Sequence, residues 1–174
     1  MPVTEDKIIK FVKSLYAGRD SMHNFEHIQR LRKRVDLYKT FCSNIDEDKL
    51  IFLVYFHGLI PYVRAHEREI LGMGFPADWI EALDRHLINP LSIEEKLVSD
   101  ANSWEVVGEF GIQKSLQVGK ERGQSIDETF SIMKGNVKRV VFHTEIGKKF
   151  GEPGIRIIEK FLEENMTKED SSTD

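Results

Sequence analysis

Nowhere in this 174-residue chain do apolar and polar residues alternate over the length of a half-buried strand. The apolar residues recur instead at steps of three and four, in stretches that open on helix-capping residues. A chain patterned this way has one broad solution, helices packed on helices. Thr4 can cap a first helix, with Glu5 and Asp6 in its positive first turn and Ile8, Phe11, Val12 and Leu15 on one face; Gly18 stops it. A second helix begins near Asn24, with Ile28, Leu31, Val35 and Tyr38 apolar and basic residues at 30, 32, 33 and 34 around the other face. Asp46, Glu47 and Asp48 open a third, whose body from Leu50 to Leu59 is apolar almost all round and which Pro61 ends. A short helix is expected over 64–71, closed by Gly72 and Gly74, and another over 76–87, with Pro76 in its first turn. Ser92-Ile-Glu-Glu95 is a capping-box pattern heading a longer helix to about 116. Ser125-Ile-Asp-Glu128 repeats it for a helix through Val141, and Pro153 starts the last. The expected fold class is all-α, a compact single-domain helical bundle over 1–166, followed by a solvated, disordered tail at 167–174.

Composition narrows the function classes. The 25 Lys and Arg against 29 Asp and Glu leave a net charge of −4, which argues against a general nucleic-acid coat. No apolar run approaches the roughly 20 residues that span a bilayer, so no membrane segment is expected. The opening MPVTEDKIIKFVKSLY carries acids early and lacks a long apolar region, so no signal peptide is expected. The single cysteine, Cys42, excludes an internal disulfide and a multi-cysteine zinc site. It suits a reducing compartment, and a cytoplasmic protein is expected. All of these features are compatible with an oligomer.

The histidines carry more. His23 and His27 are four apart and share a helix face if both lie on the helix. His27 also precedes Leu31 and Val35 by one and two turns, so it points at the core. His57 ends the most apolar helix, and His86 and Asp100 lie near the ends of two others. Imidazole and carboxylate are the usual ligands for Zn, Fe, Mn or Ni. Helical bundles build metal sites from such residues on facing helices. His143, outside any apolar stripe, reads as an ordinary histidine.

The order of motifs adds a resemblance. DSMHNFEHIQRLRKRV, residues 20–35, resembles the "D-x-x-H-D-x-x-H-x-x-R-V" opening of the HD-domain superfamily of metal-dependent phosphohydrolases. LIFLVYFHGL resembles the apolar helix ending in that family's His-Asp doublet. LDRHLINPLSIEEKLVSDANSWEVVGEFGI resembles its acid-rich block, and FHTEIGKKFGEPGIRIIEKFLEE its closing "T-x-x-G-x-x-x-A" helix. The likeness runs over about 16–165. It implies an all-α fold and a divalent metal ion, Mn, Fe, Ni, Zn or Mg. His27 would be the first ligand, His57 the doublet histidine and Asp100 the final carboxylate. His86, and His66 as an additional ligand, stand where members with a second metal place histidines.

The resemblance further implies a phosphohydrolase acting on a phosphomonoester or nucleotide. Its ion would polarise a phosphoryl oxygen and bring the pKa of bound water to about 7. His23 and Glu26 would orient the water or a ligating ring. Arg30, Arg64 and Lys114 would meet the phosphate. One departure sets up a rival reading. The doublet position that holds Asp in the family holds Gly58 here, while Asn24 and Asn102 replace two further acids. A neutral pocket holds a cation less well, because charge neutralisation is part of the binding. The rival is a catalytically degenerate member that binds a nucleotide or a protein partner without hydrolysis and carries no metal. On the first reading, Gly58→Asp should raise metal affinity.

Overall fold

A computed structural model describes residues 3–20 and 22–166 of the chain. The tail expected at 167–174 lies outside the described residues. Ten helices and no strand occur among the described residues, so the all-α expectation is borne out. The contacts divide the chain into two units, one to Ala101 and one from Asn102.

The first unit holds α1 (Glu5–Leu15), α2 (Phe25–Lys39), α3 (Glu47–Phe56), α4 (Ile60–Ala65), α5 (Glu67–Gly72), α6 (Ala77–Arg85) and most of α7 (Ile93–Trp104). α3 is its axis. Leu50, Phe52, Leu53, Val54, Tyr55 and Phe56 are all buried, as a helix apolar on every side must be. It packs against α1, α2 and α6. Phe52 and Phe56 pack against each other at 4.8 Å between centroids and against Phe75 at 4.8 and 5.6 Å, the last edge-on. Fully burying each such ring contributes about 1.5–3 kcal/mol. A polar node ties the same helices together: Arg32 of α2 donates to both oxygens of Glu5 at 2.9 and 3.3 Å, and Tyr55 of α3 donates to Glu5 at 2.7 Å.

The second unit holds α8 (Gly108–Glu121), α9 (Ile126–Val137) and α10 (Glu145–Met166), which pack pairwise. Its core is Phe130, Met133, Val137, Ile158 and Leu162, with Ile112, Leu116, Ile155 and Phe161 against them. Gly119 lets α8 and α9 close: a Cβ there would stand 2.2 Å from Thr129 Oγ1.

Proline and glycine account for most of the differences from the expected boundaries. Pro61 does not end α3; it sits in the first turn of α4, where its missing N–H costs nothing. The helix expected over 64–71 is two short ones, α4 and α5, broken at His66. The helix expected from Ser92 to 116 is also two, because Gly108 takes a φ of +67° that no helix continues through. Pro153 lies inside α10, which starts eight residues earlier, after the Thr144 hydroxyl accepts the Gly147 N–H at 3.0 Å. The Ser125–Glu128 capping box forms in full, and its helix ends at Val137.

Candidate functional site

Local capping places the first histidine. The Asn24 side chain accepts the His27 N–H at 3.0 Å, which starts α2 so that His27 joins the stripe of Ile28, Leu31 and Val35. His27 is 4% exposed. His57 follows the last turn of α3 and is 7% exposed; His86 follows the last turn of α6 and is wholly buried. The His27 and His57 rings lie 5.5 Å apart between centroids, tilted by 57°. His57 and His86 are joined directly, Nδ1 to Nε2, at 2.7 Å.

The protons on this pair follow from its neighbours. His86 Nδ1 stands 2.6 Å from the Leu83 carbonyl, which only accepts, so that nitrogen carries a proton. Burial pushes the His86 pKa down and keeps the ring neutral, against the smaller opposing effect of that carbonyl. His86 Nε2 therefore accepts, and His57 Nδ1–H donates to it. In the neutral ring, His57 Nε2 is then the nitrogen with a lone pair, fit to accept a hydrogen bond or a metal.

Beside His57, Tyr16 and Arg19 line the position at which the resemblance expects the doublet carboxylate. The Gly58 N–H donates to the Tyr16 hydroxyl at 3.1 Å, and that hydroxyl donates to the Tyr55 carbonyl at 2.9 Å. Arg19 Nη1 donates to the Gly58 carbonyl at 2.9 Å, with its guanidinium carbon 5.1 Å from the Tyr16 ring centre. A Cβ at position 58 would lie 3.1 Å from Tyr16 Cε1, 3.3 Å from its hydroxyl and 3.6 Å from Arg19 Nη1. Burial pushes the Tyr16 pKa up, so it stays a neutral phenol.

Asp100, on α7, is wholly buried. Its charge adds to the burial that raises Cys42 and brings Tyr38 to about 12. His23, 54% exposed in its side chain, meets Asp20 at 2.7 Å in the turn before α2. Glu26 is exposed in the first turn of α2, and Arg30, also on α2, is half-buried. His66 is exposed and stacks on Tyr62, with centroids 4.1 Å apart, its Nδ1 against the Tyr62 carbonyl at 2.9 Å. Arg64 is held by Glu67 and Asp84. Lys114, in the second unit, is buried and paired with Glu105. Spacing alone did not point to Tyr16 and Arg19. The one available signal was the glycine at the doublet, which needs a large neighbour to fill its place.

Two imidazoles bound to one ion at about 2.1 Å each have centroids about 5 Å apart. His27 and His57 meet that spacing. The His57 and His86 rings, 5.0 Å apart between centroids, meet it as well, but their facing nitrogens stand 2.7 Å apart, a hydrogen bond, whereas nitrogens sharing a tetrahedral ion stand about 3.4 Å apart. Among the described residues no three His, Cys, Asp or Glu side chains are grouped to hold a metal ion. With Gly58, Asn24 and Asn102 in place of acids, the donor set as arranged does not fit a divalent metal centre.

No protein-family model matches this sequence, and no curated protein does. Solved structures do. They define the class first: an all-α protein with the fold of the HD superfamily. One is an HD-superfamily hydrolase from Bacillus thuringiensis, with a TM-score of 0.70 and 19% identity over 97% of each chain. YpgQ of Bacillus subtilis, solved in complex with ADP, matches with a TM-score of 0.70 at 17% identity over 92% of each chain. A protein from Lactobacillus plantarum matches with a TM-score of 0.76 at 14% identity, over 98% of this chain and all of that one. At such identities the likeness is one of fold, and the HD-type helical fold expected from the motif order is borne out. No helix among the described residues is long and apolar enough to cross a membrane.

Proposed function

We propose that this chain, with residues 1–166 acting as one HD-like domain, binds a nucleotide or another small phosphorylated molecule at the His27–His57–His86 cluster without metal-dependent hydrolysis. The observation that carries the reading is Gly58. The position that would supply the doublet carboxylate has no side chain, and Tyr16 and Arg19 line the space that a Cβ there would enter. A hydrogen-bonded histidine pair with no carboxylate at position 58, beside an arginine, favours an anion over a cation. The fold relative solved with ADP supports the ligand class. The lone Cys42 suits a cytoplasmic setting.

A second reading has one specific support. The 5.5 Å separation of His27 and His57 matches two imidazoles on one ion, and in a metal-dependent phosphohydrolase Asp100 would have to supply the third donor. Two measurements on one preparation separate the readings: the metal content of protein purified without added metal, and hydrolysis of phosphomonoesters and nucleoside di- and triphosphates with Mn, Fe, Ni, Zn or Mg. ADP binding in chelator with no turnover is the expected result. Stoichiometric metal with turnover would overturn it.

A further inference from the structure

Arg19 lies outside every motif of the sequence. It is exposed, and among the described residues no carboxylate lies within ion-pair distance of it, whereas Arg32, Arg64 and Arg85 each have one. Asp20, next in the chain, turns its carboxylate to the Met22 N–H and to His23 instead. Arg19 is nevertheless held. One nitrogen donates to the Gly58 carbonyl, and the guanidinium lies over the ring of a buried tyrosine fixed by two hydrogen bonds of its own. A guanidinium positioned this way loses little freedom on binding, and its remaining donors suit a planar fork onto phosphate. Gly58 keeps it uncompensated. A carboxylate on a Cβ 3.6 Å from Arg19 Nη1 would reach the guanidinium and neutralise it.

We infer that Arg19 is the phosphate-binding residue of this site: the charge at the doublet is inverted, so that a fixed guanidinium takes an anion directly where a carboxylate would take a metal ion. The inference rests on the reading above that the site binds a phosphorylated ligand. Replacement of Asp by Gly at the doublet is then more than a loss. It removes the group that would pair with Arg19 and leaves the backbone carbonyl that orients it. The ligand class is a phosphate or diphosphate group, with His57 beside it in the chain.

The test is titration calorimetry of the full chain with ADP and with inorganic pyrophosphate in excess chelator. The parent protein is expected to bind both. Arg19→Gln should weaken both by about 10-fold or more, and Arg19→Lys by less, since it keeps the charge and loses the fork. Gly58→Asp should weaken both as Arg19→Gln does. If the parent binds neither probe, the binding reading itself fails. If the parent binds and Arg19→Gln binds as tightly, this inference fails and the reading stands. Should Arg19→Gln not fold by circular dichroism, unchanged binding by folded Arg19→Lys and Gly58→Asp would overturn the inference equally.

Discussion

The Gly58 N–H and the Tyr16 hydroxyl are joined at 3.1 Å, across 42 positions of sequence. That bond holds a rigid aromatic ring against the position from which a side chain of residue 58 would leave. It changes what restoring the doublet should do. Gly58→Asp, which the motif alone predicts to raise metal affinity, is expected here to leave metal content unchanged, because its carboxylate meets Tyr16 and Arg19 first. Elemental analysis of the folded variant checks this. Uptake of a stoichiometric divalent ion would show that the carboxylate reaches the histidines after all.

Removing the hydroxyl tests the same bond from the other side. Tyr16→Phe keeps the ring but leaves the Tyr55 carbonyl and the Gly58 N–H without the group they share. An expected loss of about 1–3 kcal/mol follows from stranding such groups away from water. Chemical denaturation reads it. A loss under about 0.5 kcal/mol would mean that water replaces the hydroxyl there.

Helix identity was readable in the sequence wherever the signal was local. The Ser125 capping box formed as expected, and Asn24 caps α2 with its own side chain. Boundaries at Pro61 and Pro153 were not readable, because proline suits a first turn and, at a cost, an interior; only packing decides between them. His27 could be placed on the core face from its spacing to Leu31 and Val35. The hydrogen bond between His57 and His86 could not, since it joins the ends of two helices 29 positions apart. The Tyr16 contact was hidden more deeply still. Its sign in the sequence is a missing side chain.

The turn that carries His86 toward α7 has its own anchor. Arg85 donates to both oxygens of Glu95 at 3.0 and 2.8 Å, and the Leu91 N–H donates to the same carboxylate at 2.9 Å. Burial pushes the Glu95 pKa up, but Arg85 and the Leu91 N–H together with Lys49 outweigh it and hold the group below the ordinary carboxylate range. Because Arg85 is partly exposed, Glu95→Gln is expected to cost about 1–3 kcal/mol, the scale of losing hydrogen bonds to a buried charged group. A folded variant with an unchanged unfolding midpoint would show that the turn is held by other contacts.

Glu5 gives a pH dependence at the acid end. Its pKa is lowered mainly by the hydrogen bond from Arg32, against desolvation. A carboxylate depressed in the folded state contributes stability that is present above its ordinary value of 4.5 and lost as pH falls through the folded value. Glu5→Gln should therefore flatten the unfolding profile below about pH 4.5 and lower stability above it. A parallel shift of the whole profile, with no change of shape, would count against the Arg32 pairing.

His86 gives a second dependence, nearer neutrality. Burial holds its folded pKa below the ordinary 6.5, so the unfolded chain takes up this proton first as pH falls. The stability it contributes is complete above pH 6.5 and is lost as pH falls from there through the folded value. Thermal unfolding of the parent should thus weaken from about pH 6.5 downward, before the carboxylates titrate. In His86→Gln that component should vanish, because glutamine does not titrate while its carbonyl can still accept from His57 Nδ1. His86→Leu removes the acceptor as well. Ring nitrogen shifts then report on His57: the Nδ1–H tautomer should dominate in the parent and in His86→Gln, and should give way to a mixture in His86→Leu. If the parent already shows the Nε2–H tautomer, the hydrogen bond runs the other way, and His57 Nε2 is a donor to whatever the site binds.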